Sequence, residues 1–247
     1  MASRMIVALL AWSMICGAAV QAHDDFDFFY FVQQWPGSYC DTRQGCCFSI
    51  SSDPKPVFGI HGLWPDYNDG SWPSFCTKEP FNPKVFSDVI GKMDDDWGSL
   101  ACPSSDSHSF WRHEWTKHGT CSGLGQHGYF ESAIDLYGKY DITAALADHG
   151  IVPDGKHYQI EAIRKAISTV LDGHLPGVDC NKDGKGNRQL YQVYICVAKD
   201  GSTLIECPVF PRSECRGSVE FPVFDPSQSH HRHISNFGDA NMMTSGL

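Results

Sequence analysis

The apolar positions of this chain fall into runs with two different periods. Phe26-Asp27-Phe28-Phe29-Tyr30-Phe31-Val32 is aromatic and β-prone and predicts a buried strand. Residues 56–60 predict a second short strand that ends at His61 and turns at Gly62. Residues 190–198 and 219–224 run or alternate apolar and predict strands near the end of the chain. In between, apolar residues at helical spacing predict helices over 129–140, 142–149 and 158–171, with a short one over 84–92. Residues 107–118 read as a helix capped by Ser107 or Ser109 and stopped by Gly119. Residues 66–83, rich in Pro, Asn, Asp, Gly and Ser, read as a long loop, and 181–188 and 199–202 carry turn chemistry. Strands first, helices in the middle and strands last predict a single α+β domain without internal repeats.

The ends do not share this pattern. Met5 to Val20 is an apolar run behind Arg4, and Val20-Gln21-Ala22 resembles a peptidase cleavage site. Residues 1–22 therefore read as a secretory signal peptide and 23–224 as the folded domain. A membrane anchor is the rival, but the run is short for a span. No later stretch is apolar enough to cross a bilayer, so no membrane role is expected. Residues 225–247 are polar and read as a mobile tail. Its His230-His231-Arg232-His233 cluster could bind a metal by chance, but a functional site is not expected there.

Composition narrows the picture further. Of eleven cysteines, Cys16 lies in the expected signal, leaving an even ten. In an oxidising compartment that number predicts five disulfides, and the absence of any CxxC pair argues against zinc. The formal net charge is −10. Such a chain is poorly suited to gripping a nucleic-acid backbone through many phosphates, although a local cationic pocket can handle one or two. Lower pH would add charge on up to twelve histidines.

The candidate chemistry sits in two segments, Phe58-Gly59-Ile60-His61-Gly62-Leu63-Trp64-Pro65 and Phe110-Trp111-Arg112-His113-Glu114-Trp115-Thr116-Lys117-His118-Gly119-Thr120-Cys121. On a helix with His113 at zero, Lys117 falls at about 40°, Phe110 at about 60°, Glu114 at about 100° and His118 at about 140°. These residues share one broad face, with Trp111 and Trp115 towards the other side. His113-Glu114 is not a zinc-protease HExxH, because the next histidine stands at i+5 and Lys117 occupies i+4. Histidines with a glutamate and a lysine can move protons and steady negative charge, which suits phosphodiester cleavage without a metal or other cofactor. Taken alone, His61, Trp64 and Trp72 could equally be core residues; an aromatic-rich loop can also stack nucleobases.

The two segments, in this order and with these cysteines, resemble the T2 family of acid, transferase-type ribonucleases, most closely the plant S-like branch. The resemblance runs from Phe31-Val32-Gln33-Gln34-Trp35-Pro36 to Glu220-Phe221-Pro222. It implies a disulfide-stapled α+β fold with a central antiparallel sheet, and cleavage of single-stranded RNA through a 2',3'-cyclic phosphate with low base specificity. It implies His118 as base and His61 as acid. Lys117 and Glu114 would stabilise the transition state and His113 would hold the phosphate. Trp64, Asp66 and Trp72 would take one base, and Gln34 and Phe110 would line the other base site, with a structural role for Gln34 the alternative. DNA lacks the nucleophile and would not be cut. The family's bridges would pair Cys40 with Cys46, Cys47 with Cys102, Cys76 with Cys121, Cys180 with Cys215 and Cys196 with Cys207. A monomer, secreted or vacuolar, is expected. Two rivals remain: a pistil self-recognition protein, disfavoured by the acidic charge and the lack of any N-x-S/T site, and a defence or storage protein whose activity is secondary.

Overall fold

The structure is a computed structural model that describes residues 26–49, 54–103, 106–225 and 231–234. The expected signal peptide and most of the tail lie outside the described residues. The strands are β1 (Phe28–Gln34), β2 (Cys46–Ser49), β3 (Gly59–Asp66), β4 (His157–Gln159), β5 (Gly177–Lys182), β6 (Arg188–Val197), β7 (Ser218–Glu220) and β8 (His231–Ile234). The helices are α1 (Pro36–Cys40), α2 (Ile90–Asp96), α3 (Ser107–Lys117), α4 (Gly125–Lys139), α5 (Ile142–Asp148) and α6 (Ile160–Ser168). The main sheet runs β3-β1-β6-β7-β4, with β5 also paired to β6; all its pairs are antiparallel except β6 with β7. Within the expected tail, β8 pairs in parallel with β2.

Alternation along the strands assigns the two faces of the sheet. Phe29, Phe31, Val193, Ile195 and Val197 point into the main core, which is closed by helices carrying Trp111, Trp115, Tyr129, Phe130 and Ile163. Phe28, Tyr30, Val32, Tyr194 and Cys196 point the other way, into a smaller cluster with Trp64 and Val209. This second face becomes the floor of the functional cleft.

His61 is not at a strand end, as its neighbour Gly62 suggests, but inside β3. The pairing of β1 with β3 slips by one residue there: Val32 faces Gly62 and Gln33 faces Ile60, so His61 has no partner. This is a β-bulge, and it changes the phase of the strand. Ile60 and Leu63, an odd number of residues apart, both reach the main core. His61 therefore joins Trp64 and Asp66 on the cleft side, where strict alternation would have turned it inward. Indole donors brace the bulge. Trp97 Nε1 donates to the His61 carbonyl at 2.9 Å, and Trp111 Nε1 of α3 donates to the Trp97 carbonyl at 2.8 Å.

Helix α3 starts one residue earlier than the serines suggest. Asp106 is the cap, its carboxylate accepting from Ser109 N–H at 3.1 Å and from the Ser109 hydroxyl at 2.6 Å; a carboxylate is favoured at this end by the helix dipole. The last helical turn is closed by His118 N–H to the Glu114 carbonyl at 2.9 Å. The expected helix over 84–92 is a 3₁₀ turn, Pro83–Phe86, followed by α2, and the one over 158–171 begins as strand β4. All five expected disulfides are present: Cys40–Cys46, Cys47–Cys102, Cys76–Cys121, Cys180–Cys215 and Cys196–Cys207.

Candidate active site

Strand β3 and helix α3 meet over the open face of the sheet and enclose a cleft of about 730 Å³. His61, Trp64 and Asp66 enter it from β3. Phe110, His113, Glu114, Lys117 and His118 enter from α3 and its C-terminal cap, and Trp72 from the loop that follows β3. Nine of the ten sequence-predicted chemical residues are thus brought together. Gln34 is not: it is buried in β1, and its amide oxygen accepts from Tyr191 OH at 3.4 Å. Gln34 lies at the far end of β1 from Tyr30, opposite Gln192.

The cleft is organised around Glu114, which is 2% exposed. Trp64 Nε1–H donates to its Oε2 at 2.7 Å. Burial pushes the carboxyl up to about 8, against the opposing pull of the Trp64 bond and Lys117. Gly62 makes this contact possible: a Cβ there would lie 2.2 Å from Glu114 Oε2 and 2.2 Å from Trp64 Nε1. The His118 ring stacks on Trp64 at 5.1 Å and 22°, and its Nδ1 is buried without a hydrogen-bond partner. Burial, then Lys117 and the other histidines, lower its pKa to about 2. His113, on the exposed side of α3, is lowered by burial and by Lys117.

The His61 ring is half-buried between Trp64, 4.9 Å away edge-on, and Phe110, 5.8 Å away. Burial first, then Lys117 and His113, lower its pKa to about 4. Its Nδ1 contacts the Nε2 amide of Gln192. The Tyr194 hydroxyl donates to Gln192 Oε1 at 2.8 Å, which turns the NH₂ group towards the histidine. The neutral ring consequently accepts at Nδ1 and carries its proton on Nε2. At the other end of the cleft, Asp66 has a buried Oδ1 without a partner, and burial raises its carboxyl to about 7 despite a backbone bond from Tyr67. Trp72, by contrast, is 58% exposed at the mouth.

The loop that carries Trp72 is tied to the end of α3. Cys76–Cys121 bridges them, Phe75 N–H donates to the Lys117 carbonyl at 3.0 Å, and Trp115 Nε1 donates to the Glu79 carbonyl at 3.2 Å. Sequence reasoning did not find Gln192, Tyr30, Tyr194 or the wall formed by Val209, Phe210, Pro211 and Arg212. Gln192 and Tyr194 share a parity in a predicted strand and follow from it once the core face is known. The 209–212 wall has no such signal beyond the cysteines that flank it.

Comparison with known proteins agrees with this arrangement. The Ribonuclease T2 family profile matches residues 26–207. Ribonuclease 1 of Arabidopsis thaliana is 51% identical over 227 residues, covering 91% of this chain and 98% of that protein. Extracellular ribonuclease LE of Solanum lycopersicum is 51% identical over 213 residues, covering 85% of this chain and 92% of that one. Among solved structures, RNase NT in complex with 5'-AMP superposes with a TM-score of 0.77 at 50% identity, over 81% of this chain and 100% of that one. The two motifs, the five bridges and these likenesses agree: the chain belongs to the Ribonuclease T2 family, in its plant S-like branch, and is an RNA-cleaving endoribonuclease.

Proposed function

We propose that the enzyme cleaves single-stranded RNA by transesterification, with His118 and His61 as the proton-transfer pair. The observation that carries this reading is the set of groups in one cleft: two histidines held neutral, a buried carboxyl kept protonated below about pH 8, and Lys117. In the first step His118 takes the proton of a ribose 2'-OH, whose oxygen bonds to the adjacent phosphorus. The P–O5' bond breaks and the leaving oxygen takes a proton from His61. The products are a 2',3'-cyclic phosphate and a 5'-OH. Water opens the cyclic phosphate with the two roles exchanged.

Lys117 and His113 meet the phosphate oxygens. Protonated Glu114 donates a hydrogen bond where negative charge builds up, an interaction strongest in a water-poor site. The His61 and His118 pKa values are depressed partly by Lys117. A bound phosphate opposes that field and favours the protonated His61 that the first step needs. Trp64 and Trp72 supply stacking surface for a base, and Asp66, neutral at mildly acid pH, offers both a donor and an acceptor to its edge. Stacking with so few edge contacts supports low base specificity. No chain other than this one is needed to complete the site, which supports a working monomer. A disulfide-rich domain behind a signal-like leader supports a secreted or vacuolar role in RNA turnover.

The test is cleavage of a dinucleoside monophosphate followed by phosphorus NMR. A 2',3'-cyclic phosphate is expected, with the rate reduced about 10²–10⁴-fold in His118→Ala and in His61→Ala. A 2'-deoxy analogue should be inert and chelators without effect. Retained cleavage in His118→Ala, or loss of cleavage with chelators, would overturn the reading.

A further inference from the structure

We propose that the outer rim of the cleft is a third nucleotide subsite, where Phe210 stacks a base and Arg212 holds a phosphate of a residue lying beyond the two that flank the scissile bond. The proposal rests on the reading of the cleft as the RNA site. Val209 to Arg212 forms the wall across the sheet from β3, running from the level of Tyr30 at Val209 to Gly177 and Tyr194 at Pro211. The Val209 carbonyl accepts from Tyr30 OH at 2.6 Å, and its side chain lies against Gly70 in the loop that follows Asp66.

This wall has the features of a platform. The Arg164 guanidinium stands 4.3 Å from the Phe210 ring centroid and is itself held by Nε to the Pro176 carbonyl at 2.9 Å. One side of the ring is therefore supported while 43% of the residue stays exposed. Arg212 is exposed, and no hydrogen bond or ion pair engages it among the described residues. Apart from Lys117 beside the histidines, it is the only Lys or Arg among the described residues that line the cleft. In a chain of net charge −10, the cleft thus carries one fixed cation on the α3 wall and one on the 209–212 wall. The segment is also held in place: Cys196–Cys207 and Cys180–Cys215 staple its two flanks to β6 and β5. Pro211 packs so closely on Gly177 that a Cβ there would lie 2.8 Å from it. A rigid aromatic next to an unpaired cation is the combination by which proteins follow a single strand, and rigidity lowers the entropy lost on binding.

The experiment compares kcat/KM for a dinucleoside monophosphate with that for trinucleotides extended at the 5' or the 3' end. The wild type should favour one of the two trinucleotides by about tenfold. That ratio should fall close to one in Phe210→Ala and Arg212→Gln and survive in Phe210→Tyr. Arg212→Gln should also flatten the salt dependence for the favoured trinucleotide by about 0.7 in log–log slope. Each ratio is internal to one variant, so partial loss of folded protein cancels. A wild type that cleaves the dinucleotide but gains nothing from a third nucleotide overturns the subsite alone, as does a gain that both variants keep. A wild type that cleaves no dinucleotide overturns the cleft reading, and the subsite with it.

Discussion

The indole N–H of Trp64 and the carboxyl of Glu114 meet at 2.7 Å and join β3 to α3 at the centre of the cleft. The same indole stacks on His118. One side chain therefore tempers the raised pKa of the Glu114 carboxyl and positions the proposed base. Trp64→Phe keeps most of the stacking surface and removes the donor. The Trp64 bond lowers a carboxyl that burial has raised, so its loss should move the Glu114 pKa further up from about 8. Carbon NMR of labelled glutamate would record the shift, and kcat should fall by about tenfold, the worth of a hydrogen bond to a reacting charge.

Gly62→Ala tests the same bond from the other side. The added methyl would sit 2.2 Å from both partner atoms and must separate them. Overpacking of this kind costs about 1–3 kcal/mol, so a lower Tm is expected together with a kcat loss at least as large as that of Trp64→Phe. An alanine variant with wild-type kcat would show that the bond is dispensable.

Activity should be greatest in acid. His61 must be protonated to act on the leaving oxygen, and in the free enzyme its pKa is lowered to about 4. The protonated fraction is lost as pH rises through that value, so kcat/KM should fall about tenfold per pH unit on its alkaline side. The substrate phosphate favours the imidazolium, so the corresponding limb of kcat should lie at higher pH. A neutral or alkaline optimum for kcat/KM would contradict this.

Gln192 controls that limb. Its NH₂ faces His61 Nδ1 and must turn away when that nitrogen takes a proton. Gln192→Glu places an acceptor there, which favours the charged ring and raises the His61 pKa. The alkaline limb of kcat/KM should then move to higher pH, and should move less in Gln192→Leu, which only removes the donor that opposes protonation. Both profiles can be measured on one dinucleotide substrate.

Removing the Cys76–Cys121 bridge by paired serines frees the loop that carries Trp72. The bridge spans 45 residues, a length for which about 4 kcal/mol of stabilisation is expected. Thermal unfolding should show that loss, and KM should rise more than kcat falls, because the loop holds a base surface and not the histidines.

Much of this site was legible in the residues themselves. The face of α3 follows from helical geometry, and Phe110, His113, Glu114, Lys117 and His118 do share the cleft. The five bridges followed from the family resemblance. The reading of His61 at a strand end did not survive, because glycine serves a turn and a bulge equally well and only the partner strand distinguishes them. Asp106 was passed over in favour of the serines since each residue type caps well. Strand β5 was hidden because Asn181 and Lys182 read as turn chemistry, although pairing with β6 makes them part of a ladder. Gln34 is buried and accepts from Tyr191 OH, so a motif residue in its place need not line the cleft.

The extra residue in β3 separates folding from chemistry at a single codon. With His61 deleted, Ile60 would still face Gln33 and Gly62 would still face Val32, now as consecutive rungs of an unbroken ladder. The shortened chain would keep its bridges and its apolar core contacts, giving up the Trp97 bond to the His61 carbonyl and the proposed acid for the leaving group. A lineage could therefore lose this activity in one step without losing the protein, and an inactive relative of this fold need carry no other mark of decay.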